Sequence, residues 1–315
     1  MIPTRTTKQK LTFGTRGSAL ARQQTNLAAK WIQNIFADLA VQTVILSTRG
    51  DRELNKPLPQ IGGKGLFTAE LEAVLLNGRI DLAVHSLKDL PIEDTAGLTI
   101  GAILPREDPA DVLISRTKYT LDTLPSGASV GTSSLRRSAQ LLSHRPDLKI
   151  LSLRGNIDTR IKKALDPAGP YDAIMLAAAG LNRMDLTEHI SQRLPFAVML
   201  PAPGQGAIAV QCRADDELTL SRLAQVNHLP TRQAVLAERA FLAELGGGCS
   251  LPVGTLGEIK GETLILQGVV ASVDGRQVIQ VTHQGSATHA PTIGRELAQQ
   301  ALSRGAQTIL EAIHV

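Results

Sequence analysis

The sequence predicts an α/β chain: two hinged lobes with mixed, mainly parallel sheets, then a small α+β C-terminal domain. Three observations carry that reading. Strand-like and helix-like stretches alternate as far as residue 180, and such alternation implies parallel pairing. The pattern also restarts. FGTRGSAL at 13–20 and VGTSSLRR at 130–137 are each a strand, a Gly-Thr, a turn and a helix start. After residue 249, three strand-like stretches sit between two helical ones, an order that marks a separate domain.

Taken in order, KLTFGTR (10–16) reads as a strand. SALARQQTNLAAKWIQNIF (18–36) reads as an amphipathic helix with Leu20, Leu27, Trp31 and Ile35 on one face and Ser18 as its cap. VQTVILST (41–48) is a second strand. Residues 49–65 hold two prolines and four glycines and form a long loop, the candidate lid. LFTAELEAVLLNG (66–78) is a helix stopped by glycine, and DLAVHSL (81–87) and LTIGAIL (98–104) are strands. PREDPADV (105–112) is a proline-rich connector. Beyond it, SVGT (129–132), KILSL (149–153) and the start of YDAIMLAAAG (171–180) supply strands. SLRRSAQLLSHR (134–145) and NIDTRIKKALD (156–166) supply helices. LPAPGQGAIAVQC (200–212) is a second connector, across which the chain returns to the first lobe. PTRQAVLAERAFLAELGGG (230–248) is a helix; SLPVGTLGEI, TLILQGVVAS and RQVIQVTHQG are strands; residues 292–313 are one closing helix. The division that follows is 1–104 with 205–224 for lobe one, 110–200 for lobe two, and 228–315 for the C-terminal domain.

Composition narrows the function. With 43% hydrophobic and 20% charged residues the chain reads as globular and soluble. Aromatics make up only 3%, so the core is aliphatic and little is available to stack on bases, which counts against a nucleic-acid partner. No run of 18 apolar residues exists, so no membrane-spanning helix is expected. MIPTRTTKQKL lacks the apolar stretch of an export signal. The cytoplasm is therefore expected, with Cys212 and Cys249 as free thiols and residues 1–10 as a short disordered extension. No zinc spacing, P-loop or GxSxG elbow is present. The net charge is +4, and residues 132–160 alone carry six cations against two carboxylates. That clustering marks a candidate anion site.

Three stretches could hold chemistry. VHSLKDLP places His85, Ser86, Lys88 and Asp89 at the C-terminal end of a buried strand, where α/β sheets place ligands; an ordinary salt-bridged loop fits these residues equally. GTSSLRRSAQL opens a helix with Arg136 and Arg137, and SLRGNIDTR adds Arg154 and Arg160 in the same setting, with Arg16 at the matching turn of lobe one. Helix starts and planar guanidinium forks suit carboxylates, although a solvated basic face would account for any one arginine. LGGGCSLPVG bares the backbone around Cys249, either as a helix stop and turn or as room for something bulky bonded to sulfur. Two classes fit: an enzyme acting on a polyanionic small molecule, and a non-catalytic two-lobed anion-binding protein. The second has no need of a reactive cysteine.

TRGSALA, GGKGLFTAELE, DLAVHSLKDLP, REDPAD, VGTSSLRRSAQL, SLRGNIDTR, LAAAGL, LPAPGQGA and GGGCSLPVG follow in order from residue 15 to residue 254. Together they resemble the porphobilinogen deaminase (hydroxymethylbilane synthase) family. The resemblance implies periplasmic-binding-protein-like lobes and a transferase of tetrapyrrole (haem) biosynthesis. Four porphobilinogen molecules are polymerised into linear 1-hydroxymethylbilane with release of four ammonia. Growth takes place on a covalent dipyrromethane, one per chain, held as a thioether by Cys249. The catalytic residue it implies is Asp89, whose carboxylate would stabilise the cationic azafulvene left by ammonia. The implied cofactor contacts are Lys88, Ser133, Arg136, Arg137, Arg154, Arg160 and Arg183. The implied substrate contacts are Arg16 and Ser18, with Arg154 and Arg160. No metal, nucleic acid or membrane is involved; a monomer is expected, passing its product to uroporphyrinogen-III synthase. Two positions depart from the pattern: Gln60, where some members carry lysine, and Gly246, where an acidic residue is frequent.

Overall fold

The computed structural model describes residues 9–48, 50, 68–247 and 251–313. Nearly all of the candidate lid at 49–65 (with Gln60), most of the N-terminal extension, and Cys249 lie outside the described residues. The strands are β1 (Lys10–Arg16), β2 (Ala40–Leu46), β3 (Leu82–Ser86), β4 (Leu98–Ile103), β5 (Asp111–Ile114), β6 (Ser129–Gly131), β7 (Lys149–Leu151), β8 (Ala173–Ala177), β9 (Gln192–Arg193), β10 (Ile208–Arg213), β11 (Val253–Lys260), β12 (Thr263–Ala271) and β13 (Val278–Ser286). The helices are α1 (Ala19–Ile35), α2 (Ala69–Leu76), α3 (Leu135–His144), α4 (Ile157–Leu165), α5 (Ala178–Met184), α6 (Glu217–Val226), α7 (Leu229–Glu244), α8 (Ala290–Ser303) and α9 (Ala306–Glu311).

The chain divides into two units: Met1–Ser86, Glu93–Leu104 and Ile208–His228 form one, and Leu87–Ile92, Pro105–Ala207 and Leu229–Val315 the other. The first unit is built on a five-stranded sheet in the order β2-β1-β3-β10-β4. β1 pairs in parallel with β2 and β3, whereas β10 is antiparallel to both β3 and β4. Period-two alternation splits the side chains between two faces. Leu82 and Val84 join the cluster beneath α1 and α6, and Ala83 joins the one around Leu71 and Leu75 of α2. The chain returns to this sheet as β10, after residue 207. The connector residues 208–212, however, belong to β10, and α6 was not foreseen.

Helix α1 starts where expected, with Ser18 Oγ accepting from the Ala21 amide at 3.3 Å. Its buried face is different from the one expected. Ala21, Gln24, Thr25, Ala28, Ala29 and Ile32 are buried, while Trp31 is 42% and Ile35 44% exposed. Ile32 and the methyl-sized side chains close the helix on the sheet, and Trp31 and Ile35 are left at its flank.

The second unit repeats the sheet as β7-β6-β8-β5-β9, again with a parallel trio and one strand, β5, running against its neighbours. In each sheet four of five strands therefore share a direction. β5 is a second correction, because PREDPADV was expected to be connector throughout. Residues 87–92 and 229–315 group with this sheet, so Asp89 lies outside the unit that holds the β1 sheet, where lobe one was expected to carry it. The C-terminal part is a β11-β12-β13 antiparallel sheet against α7, α8 and α9, around Phe241, Leu266 and Leu297. The closing helix is broken at Gly305, whose φ of 97° is open to glycine at little cost.

Candidate active site

β3 is buried along most of its length and gives way after Ser86 to one 3₁₀ turn, Leu87–Asp89. The turn is fixed from below: the Leu87 amide donates to the Ala207 carbonyl at 3.0 Å, and Leu87 is fully buried. Lys88 emerges half-buried and Asp89 exposed. Burial pushes the Lys88 ammonium down to about 8, against the favourable field of Asp89.

Helix α3 begins behind GTSS, with Ser134 as its cap. Arg136 and Arg137 fall in its first turn and are buried. Both turn towards Asp111, the first residue of β5 and itself wholly buried. Arg136 Nη1 donates to Asp111 Oδ2 at 2.6 Å and to the Leu200 carbonyl at 2.7 Å. Arg137 donates through Nε and Nη2 to Asp111 Oδ1 at 3.0 and 2.7 Å, and through Nη1 to the Met175 carbonyl at 3.1 Å. Burial alone would raise the Asp111 carboxyl; the two guanidiniums overcome it and hold the group well below the ordinary carboxylate range. The carboxylate has a third partner, which makes its fourth hydrogen bond. Gln205 Nε2 donates to Asp111 Oδ1 at 3.0 Å, and Gln205 Oε1 accepts from Lys88 Nζ at 3.2 Å.

Arg154 follows a strand end, Arg160 lies near a helix start and Arg183 in the last turn of a helix, all in the same unit. Ser133 Oγ donates to the Leu153 carbonyl and accepts from the Leu153 amide, both at 3.0 Å, and so pins the turn that presents Arg154. Arg154 Nη1 is a buried atom with no hydrogen-bond partner. Arg160 Nε donates to the Gly155 carbonyl at 2.7 Å. Burial, reinforced by the like charges of Arg137 and Arg154 and opposed by Asp89, pushes its guanidinium down to about 10. Arg183, on α5, donates to the Gly206 carbonyl at 2.6 Å, and burial pushes it also to about 10.

The second unit therefore brings together Lys88, Asp89, Arg136, Arg137, Arg160 and, by its charge on Arg160, Arg154. Arg16 and Ser18 belong to the first unit. Sequence reasoning missed Asp111 and Gln205. One signal was available: two adjacent arginines inside a buried helix start require an internal carboxylate.

Fold and site define an α/β protein that gathers cations around one exposed carboxylate, an arrangement with the chemistry to hold a polyanion. "Porphobilinogen deaminase, dipyromethane cofactor binding domain" matches residues 11–221, and "Porphobilinogen deaminase, C-terminal domain" matches 232–303. The chain is 48% identical to the porphobilinogen deaminase of Moorella thermoacetica over 96% of both chains. It is 48% identical to that of Pelotomaculum thermopropionicum over 96% of this chain and 97% of that one. It is 47% identical to that of Syntrophomonas wolfei over 96% and 98%. Among solved structures, the methionine-binding protein MetQ overlays with a TM-score of 0.42 at 16% identity, over 70% of this chain and 90% of that one. The chain belongs to the porphobilinogen deaminase family of transferases.

The site fits the dipyrromethane that the family description names. That group carries carboxylates, and the structure offers a buried guanidinium nitrogen without a partner on Arg154. It also offers cations on Lys88, Arg160 and Arg183 whose charge burial disfavours. Anionic groups there would relieve both.

Proposed function

We propose that the protein polymerises four porphobilinogen molecules into linear 1-hydroxymethylbilane, releasing ammonia at each addition, on a dipyrromethane bonded to Cys249, and that water cleaves the finished chain from that dipyrromethane and supplies its hydroxyl. The observation that carries this reading is Asp89: an exposed carboxylate at the end of a buried strand, within the field of Lys88 and Arg160. The bound dipyrromethane supplies the pyrrole carbon at which the chain is extended.

Asp89 does the electrostatic work. As ammonia leaves, positive charge spreads onto the pyrrole nitrogen, and a fixed carboxylate beside it lowers the barrier. The same group can carry the proton to the departing amine. Lys88, Ser133, Arg136, Arg137, Arg154, Arg160 and Arg183 bind the acetate and propionate groups of the cofactor and growing chain. Each charge-assisted bond contributes about 1.5–3 kcal/mol. Arg16 and Ser18, with Arg154 and Arg160, receive the incoming porphobilinogen; the Ser18 hydroxyl does so beside its capping bond. On this reading the protein works as a cytoplasmic monomer, and its product is taken up by uroporphyrinogen-III synthase.

Intact mass tests the tether. The purified protein should be heavier than its sequence by one dipyrromethane, and Cys249→Ser should remove the increment. Asp89→Asn should keep the increment and lose roughly 100-fold or more in turnover. An Asn variant with full turnover excludes the role given to Asp89.

A further inference from the structure

Gln205 is fully buried in the PGQG turn between two glycines held at positive φ, Gly204 at 74° and Gly206 at 86°. Its amide is used at both ends. Nε2 donates to the Pro109 carbonyl at 2.7 Å and to Asp111 Oδ1 at 3.0 Å; Oε1 accepts from Lys88 Nζ at 3.2 Å. The amide cannot be turned over without setting its NH2 against the ammonium and its oxygen against the carboxylate. The turn itself is rigid. A side chain at Gly206 would collide with the Glu107 carbonyl, whose own amide donates back to Gly206 at 3.0 Å. The glutamine thus joins the carboxylate that grips Arg136 and Arg137 to the ammonium next to Asp89, with no other side chain between.

Resting on the function proposed above, we propose that Gln205 is a positioning residue: its amide, aligned by Asp111, fixes Lys88 beside Asp89 and couples that ammonium to the arginine pair. Among the charged groups that act on Lys88 are Asp89, Asp111, Arg136 and Arg137. A change at Gln205 therefore reaches Lys88 directly, through the lost or altered acceptor, within an otherwise constant set of charges.

Two near-isosteric variants of the holo-protein separate positioning from packing. Gln205→Met removes the acceptor and should lower the pH midpoint at which the Lys88 amine is acylated, read by peptide mass spectrometry over a pH series. Gln205→Glu keeps an acceptor for Lys88 and, with its second oxygen set against Asp111, takes up the proton that lets it donate there as the amide did; its midpoint should stay at or above that of the parent. The Met midpoint should fall by about half a pH unit or more, and the basic limb of the kcat profile should move with it. KM for porphobilinogen should change less than kcat. A midpoint unmoved in Met, or lowered equally in Glu, would overturn the proposal even if thermal stability fell. If Met does not fold, a lowered midpoint in Glu overturns the proposal and a parent-like or raised one supports it. If the midpoints move as stated while the wild-type protein does not consume porphobilinogen, the proposed function fails and the positioning of Lys88 stands.

Discussion

His85 precedes Lys88 by one turn of chain, and burial acts on both in the same direction. For the imidazole it lowers the pKa to about 4, with Arg16 contributing and the bond to Gln211 opposing. Burial keeps the ring neutral, and a chain of hydrogen bonds fixes its tautomer. Gln211 Nε2 donates to Glu72 Oε1 at 3.0 Å, which turns Gln211 Oε1 towards His85 Nε2 at 3.2 Å and makes that nitrogen the donor. Thr95 closes the chain on Glu72 Oε2 at 3.0 Å. The sign of the pH effect follows. Between pH 6.5 and about 4 the unfolded chain protonates this histidine and the folded one does not. Stability is therefore complete above 6.5 and falls as the pH drops towards 4, by at most about 3 kcal/mol. His85→Gln should flatten this dependence, and urea midpoints at pH 7 and pH 4.5 for both proteins check it; an unchanged pH slope rejects the assignment. The candidate site was legible at this scale where chemistry shows as residue type at a strand end or helix start, as with Asp89, Arg154 and Arg160. Asp111 and Gln205 escaped because their partners are distant. Arg136 is 25 residues from Asp111, and Lys88 is 117 from Gln205. The stretches around them, PREDPADV and LPAPGQGA, are rich in proline or glycine and read only as connector.

At the scale of elements, the same limits have visible physical causes. Strands and helices with a full period of local pattern, such as β1, α3 and α4, lie within a few residues of their expected bounds. β5 is four residues long and entirely buried, so it has neither length nor alternation to announce it; its place is set by pairing with β8 and β9. α1 shows that apolar size is a poor guide to the buried face. Its core contact is made by Ile32 and Ala28, both almost wholly buried, with Ala21 and Ala29 beside them, while Trp31 and Ile35 stay exposed. Enlarging that contact should cost more than deleting the tryptophan. Ala28→Leu overpacks a filled interface and should destabilise by about 1–3 kcal/mol. Trp31→Ala, at an exposed flank, should stay within about 0.5–1 kcal/mol. Urea denaturation of the two variants against the parent decides between the faces, since the order reverses if Trp31 is the anchor.

For the whole molecule, the decisive feature is how the chain is shared. It leaves the first sheet after Leu104, builds the second, and returns for β10 before continuing into the C-terminal part. Within the second unit, the C-terminal part and the β5–β9 sheet are joined at one carboxylate. Glu238 of α7 is fully buried. It accepts from Arg106 Nη1 and Nη2 at 2.6 and 3.1 Å, from the Gly204 amide at 2.7 Å and from the Gly257 amide at 2.8 Å. Four stretches distant in sequence thus meet on two oxygens, and one of them is the turn that carries Gln205. The pair is costly to bury and more costly to break, because an uncompensated Arg106, only 12% exposed, would remain. Glu238→Ala should lose about 3–5 kcal/mol of stability. The loss should also be distributed in a particular way. Hydrogen exchange should rise together in 105–114, 200–207, 229–244 and 253–260, whereas β1 and β3 of the first sheet keep their protection. If exchange rises in α7 alone, Glu238 merely stabilises its own helix, and the C-terminal part and second sheet do not unfold as one body.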